Sequence, residues 1–219
     1  QPLSALTYEE AVEVFREQIK GLKEGGADIA WIETMSAPDE IRAAAEAAIA
    51  AGMPYVYTGS FDTAGRTMMG LAPADIHGVA DGLSEAPVAV GANCGVGASD
   101  ILSSLLDMAE ARPDAIMVVK GNCGIPEFRG TEIHYSGTPE LMADYARLAV
   151  DAGARIVGGC CGTSCDHLVA MRAALDTHLK GPRPSVEDIV ERIGPLRNKQ
   201  ASESGGDSGR SPRRSRRAR

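Results

Sequence analysis

The sequence predicts an α/β protein of parallel βα units, and specifically the last five units of a (β/α)8 barrel. Three observations point there. Short, nearly continuous apolar runs alternate five times with amphipathic stretches, at strand-to-strand spacings of about 25 to 40 residues. No G-x-G-x-x-G follows any of those runs, so a dinucleotide-binding sheet has little support. Polar and sulfur-bearing residues fall at the carboxyl ends of successive strands, the rim on which a barrel builds its site. Closure needs eight units and only five are legible, so the first three are expected to be absent from this chain.

The elements follow in order. Thr7-Tyr8-Glu9-Glu10 is a capping box, and Ala11, Val12, Phe15, Ile19 and Leu22 recur at helical spacing until Gly25-Gly26. Asp28 to Glu33 reads as a strand ending in a carboxylate, and Ser36 with Pro38 opens a helix through Ala51. Tyr55 to Ser60 and Val88 to Asn93 read as strands, followed by helices over Ala74 to Leu83 and Asp100 to Ala111. Ala115 to Gly121 is a strand, and after a loop from Ile125 to Pro139 a helix opens at Thr138 and runs to Ala152. Arg155 to Gly159 is the fifth strand, Thr163 to Leu179 its helix, and Ser185 to Arg192 a last helix.

The 219 residues are 44% hydrophobic and 24% charged, ordinary for a globular protein, and no apolar run is long enough to span a bilayer. Aromatics are only 4%, which suits small residues packing helices on strands better than an all-β sandwich. Charge divides the chain. From Pro195 onward eight Lys/Arg face two Asp/Glu, whereas the body carries 14 Lys/Arg against 28 Asp/Glu. An acidic body repels nucleic acid at long range, and the tail lacks the apolar residues that ordering requires. The domain division is therefore a partial barrel over residues 1–197 and a disordered basic tail over 198–219. Neither nucleic acid nor membrane is an expected partner. Five cysteines, an odd number, with no secretory signal in view, predict a reducing, cytoplasmic setting rather than a disulfide framework.

Cys94 ends one strand, and the pair Cys160-Cys161 ends another 66 positions further on. That gap matches no zinc finger, but both sites fall on one rim if the sheet curls. Neighbouring residues of a regular strand point opposite ways, yet flanking glycines permit torsions that turn both sulfurs to one point. Three thiolates with an open fourth position make a catalytic zinc site. Spacing alone leaves a second reading open, in which Cys94 is a small buried apolar group and Cys160-Cys161 a packed pair or vicinal disulfide.

Gly91-Ala-Asn-Cys-Gly95 together with Gly158-Gly-Cys-Cys-Gly-Thr163 resembles the zinc signature of the homocysteine S-methyltransferases. That family includes the betaine–homocysteine enzyme and the homocysteine module of cobalamin-dependent methionine synthase. The resemblance runs from about Leu6 to Leu196 and takes in Trp31-Ile-Glu-Thr34, Gly59-Ser-Phe61 and Lys120-Gly-Asn122; the stretches Phe61 to Met69 and Ile125 to Pro139 look closest to bacterial betaine-type members. It implies a (β/α)8 barrel with Zn2+ on Cys94, Cys160 and Cys161, where homocysteine sulfur completes the tetrahedron and attacks a methyl carbon to give methionine. By the same resemblance Glu33 holds the substrate ammonium, and Asn93 helps to position ligand and metal. The implied donor is betaine; S-methylmethionine, a methylcobalamin partner, or a zinc-binding fragment without turnover are the alternatives. Homocysteine and the methyl donor are thus the expected partners, with self-association left open. A quaternary ammonium suits an aromatic wall, for which Tyr57, Phe61 and Tyr135 are candidates.

This chain departs from the family in lacking an Asp-Gly-rich first strand, and in carrying Cys123 where relatives have a small non-thiol residue. Cys123 and Cys165 are expected to be free thiols. Asp62 and Arg66 read equally as a loop ion pair or as substrate contacts. His167 reads as a surface imidazole or as support to a ligand thiolate; His77, His134 and His178 lack metal spacing, and Met68-Met69 are expected to pack.

Overall fold

A computed structural model describes residues 6–124 and 126–198. The basic tail, from residue 199 onward, lies outside the described residues.

Helix α1 (Tyr8–Glu24) starts on the expected capping box: Glu10 N donates to Thr7 Oγ1, and Thr7 N to the Glu10 carboxylate. Five parallel strands follow, β1 (Ala30–Met35), β2 (Tyr55–Gly59), β3 (Ala89–Cys94), β4 (Met117–Gly121) and, after a two-stranded hairpin of β5 (Pro126–Arg129) and β6 (Glu132–Tyr135), β7 (Ala154–Gly159). The sheet order is β1-β2-β3-β4-β7, so each strand pairs with the next as in a barrel wall. Helices α2 (Pro38–Ala50), α3 (Ala98–Ala111), α4 (Pro139–Ala152) and α5 (Cys165–Thr177) return the chain between or after strands, and α6 (Val186–Ile193) packs on α3 and α4. This is the partial (β/α)8 barrel read from the sequence, in five units.

Alternation along the strands makes two faces. Ile32, Tyr57, Val90, Ala92, Met117 and Val119 face the helices and join Ile41, Leu102, Leu105, Met142 and Tyr145 in the main core. The opposite face, which would line a barrel interior, holds a small cluster of Val56, Ala89 and Val118 with Ile29 and Ile156 against it. Register places Asn93 beside Lys120, and Lys120 beside Gly158, on that inner face.

Two local expectations are corrected. The segment after β2 is a 3-10 helix, Pro73–Ala80, not an α-helix to Leu83. The Tyr57 hydroxyl donates to Ile76 O at 2.9 Å and so draws off a carbonyl that an α-helical turn would use. The stretch from Ile125 to Pro139 is not an irregular loop, because β5 and β6 pair antiparallel from Pro126↔Tyr135 to Arg129↔Glu132.

Candidate metal centre

Cys94 is the last residue of β3, and Cys160 and Cys161 follow β7 directly. Cys160 N still donates to Gly121 O of β4 at 2.8 Å, which continues the ladder one residue beyond the strand. The chain then turns: Thr163 N reaches back to Cys160 O, and Gly162 takes φ +78°. The turn brings both neighbouring sulfurs to one side. Cys94 Sγ and Cys161 Sγ are 3.9 Å apart, as are Cys160 Sγ and Cys161 Sγ. All three ligand atoms lie within 4.8 Å of one another, and neither Cys123 nor Cys165 belongs to the group.

The two 3.9 Å edges fit a zinc-thiolate site. A Zn–S bond of about 2.3 Å in tetrahedral geometry requires S···S edges of about 3.8 Å. Three soft thiolates also match zinc by ligand type. Without a cation the cluster is costly to ionise: burial, then the repulsion of Cys160 and Cys161, push the Cys94 thiol up to about 11, against a lowering hydrogen bond from Asn122. A divalent cation among the sulfurs reverses that balance.

Two asparagines hold the cluster. Asn93 is buried; its Oδ1 accepts from Thr58 Oγ1 at 2.7 Å and from Thr34 N at 2.9 Å. Its Nδ2 donates to Thr34 Oγ1 and lies 3.8 Å from Cys160 Sγ. Asn93 therefore braces the ends of β1, β2 and β3 under the sulfurs. Asn122, which the sequence reading did not single out as a site residue, binds both cysteine loops. Its Nδ2 reaches Gly95 O at 2.8 Å and Cys94 Sγ at 3.6 Å, and its Oδ1 accepts from Cys161 N at 3.0 Å. Its place just past the end of β4, between two cysteine-bearing strand ends, was the available signal.

Glu33, the expected ammonium anchor, is ion-paired with Lys120. Of the aromatic candidates, Tyr57 and Phe61 are buried on the helix side and take no part in the inner face. Tyr135, on β6, does reach the cluster: burial, then the neighbouring Cys161 thiol, raise its phenol above the ordinary value. Asp62 accepts from Ser60 and Thr63 while Arg66 donates to Gly70 O. His167 caps α5 through Ser164 and reaches Gly137 O, and the buried Cys123 thiol donates to the same carbonyl. Met68 and Met69 are exposed rather than packed.

Residues 1–175 match the family model of the homocysteine S-methyltransferases. The fold is similar to that of the homocysteine methyltransferase MmuM from Escherichia coli. Its apo form aligns with a TM-score of 0.64 at 24% identity, over 78% of this chain and 58% of that one. The metallated form gives 0.59 at 25% identity, over 74% and 51%, and the oxidized form 0.60 at 26%, over 74% and 52%. The chain thus spans little more than half the length of these relatives.

Proposed function

Because the chain belongs to the homocysteine S-methyltransferase family, we propose that it carries the zinc-dependent transfer of a methyl group from betaine to the thiol of homocysteine, giving methionine. The convergence of Cys94, Cys160 and Cys161, drawn from two strand ends to within 4.8 Å, carries this reading. Zinc held by those thiolates would supply a soft Lewis acid that keeps an incoming thiol deprotonated at neutral pH. In the transfer the homocysteine sulfur forms a bond to the methyl carbon as the carbon–nitrogen bond of betaine breaks. The electron pair stays on the nitrogen of the departing dimethylglycine, and the thiol proton has already left to solvent.

The chain's own residues position and orient. Asn93 and Asn122 fix Cys160 and Cys94 through their amide N–H groups, which also temper the charge on sulfur. Glu33 receives the homocysteine ammonium on the inner face. Tyr135 covers the cluster from the hairpin side and supplies an aromatic surface near the methyl donor.

A metal-binding protein without turnover is the second reading, because β1 and β7 each pair on one side only among the described residues. Two measurements separate these. Zinc content should fall to near background in Cys94→Ala and in Cys160→Ala; unchanged stoichiometry in both removes the metal centre. Methionine formation from betaine and homocysteine by the zinc-loaded chain supports the first reading. Conversion only with a methylated cobalamin partner replaces the donor, and zinc binding without any conversion leaves the second reading.

A further inference from the structure

The carboxylate assigned above to a substrate ammonium already has an ammonium on it. Lys120 Nζ is ion-paired with Glu33 and lies 5.4 Å from the centroid of the Trp31 ring. Trp31 and Glu33 are alternate residues of β1, so both project from the inner face. Lys120 reaches them from β4 across the two intervening strands. Its stem runs over Gly158, where a Cβ would come 3.2 Å from Lys120 Cγ. The Lys120 and Glu33 side chains are 25% and 35% exposed, so a ligand can reach them. The thiols border the same wall: Asn93, the register partner of Lys120, touches Cys160 Sγ and takes the amide of Thr34, next to Glu33.

We infer that Lys120 makes this site selective for a zwitterionic α-amino acid, holding the place of the substrate ammonium on Glu33 and Trp31 and moving to the substrate carboxylate when that ammonium binds. The inference rests on the assignment of Glu33 to homocysteine. A pair this exposed contributes little to stability, so folding alone does not explain its presence on the inner wall. Exchange of one ammonium for another leaves Glu33 paired and frees the Lys120 charge. An amino acid brings the carboxylate that this charge then needs. A simple amine brings none and strands a cation against a partly dry wall, while a simple carboxylate meets Lys120 still engaged and Glu33 repelling it. A flexible lysine stem can make the short move between the two partners.

Trp31 is the only tryptophan in the sequence, so its fluorescence reports this site directly. The zinc-loaded chain is titrated with homocysteine, with mercaptopropylamine (homocysteine without its carboxylate) and with mercaptobutyrate (homocysteine without its ammonium). Homocysteine is expected to bind about tenfold or more tighter than either analogue, as one charge-assisted contact allows. In Lys120→Met the advantage of homocysteine over mercaptopropylamine should shrink to near unity; Lys120→Gln should behave likewise, and Lys120→Arg should keep part of it. Circular dichroism and zinc content show that each variant is folded and loaded. An undiminished advantage in a folded Lys120→Met, with wild-type protein binding homocysteine, overturns this inference and leaves the proposed function standing. No response of wild-type Trp31 to homocysteine overturns this inference, and only a failure to form methionine as well overturns the proposed function. Loss of a betaine response alone in Lys120→Met assigns Lys120 to the donor, and also overturns it.

Discussion

Asn122 joins two cysteine loops that are far apart in the chain, and it does so with one amide: the N–H side serves Gly95 O and Cys94 Sγ, the oxygen serves Cys161 N. Beside it the backbone is held in an unusual state. Thr34 and Cys94, neither a glycine, both sit at φ +62°, and Asn93, adjacent to Cys94, hydrogen-bonds Thr34 through backbone and side chain. Left-handed torsions at such residues cost about 1–3 kcal/mol and persist only where surroundings over-determine them. Here they turn Cys94 Sγ toward the vicinal pair. We therefore expect Asn122→Leu, close in volume but without donor or acceptor, to weaken zinc binding about ten- to a hundred-fold. Competition with a chromophoric chelator measures this. Zinc affinity equal to wild type in a folded Asn122→Leu would show that the asparagine does not organise the ligands.

The hairpin of β5 and β6 is the element that brings an aromatic ring to the rim of strand ends. It departs from β4 just after Asn122 and returns Tyr135 to the turn that follows the vicinal cysteines. The contact is close: at Gly162, with φ +78°, an added Cβ would fall 2.2 Å from Tyr135 Cγ. Gly162→Ala should lower stability by about 1–3 kcal/mol through strain and overlap together. Removing the ring as well, in Gly162→Ala with Tyr135→Ala, should recover part of the thermal midpoint lost by the first change. Purely additive losses would mean that the hairpin does not press on this turn. The hairpin is also where the sequence was least legible. Its strands are four residues each, too short for periodicity to register, although Gly130-Thr131 between alternating residues is a recognisable two-residue turn. The five parallel strands were legible because burial on both faces of the inner ones makes continuous apolar runs, and glycines mark their ends. The cysteines were legible as a set through the family signature, since their spacing alone also allowed a buried apolar Cys94 and a packed or disulfide-bonded Cys160-Cys161 pair. Asn122 and Lys120 were not, since their roles depend on which strands become neighbours.

On the scale of the molecule the sheet has two unlike ends. The carboxyl ends carry thiols, asparagines and left-handed backbone, whereas the amino ends carry none of the three thiols. His77, a residue of the 3-10 helix, faces that second end, where it borders the same hollow as Val88, Ala89 and Ile116 at the starts of β3 and β4. Its ring is buried, and Nε2 has no hydrogen-bond partner among the described residues. Burial first, then the Arg112 charge, hold its pKa below the ordinary 6.5, with Asp81 opposing. The sign follows from linkage. Below about pH 6.5 the unfolded chain takes up a proton at this position that the folded chain refuses, so stability falls as pH drops through that value toward the folded pKa. Above it the two states bind alike and the residue contributes no slope. His77→Leu removes both the titration and the unpaired nitrogen. Its thermal midpoint should lie close to that of the wild type near pH 7.5, and should fall less than the wild type on acidification to about pH 5.5. The wild-type slope persisting unchanged in His77→Leu would place the acid sensitivity elsewhere. Zinc content near pH 7.5 should be the same in both proteins, because the change lies at the end of the sheet remote from the sulfurs.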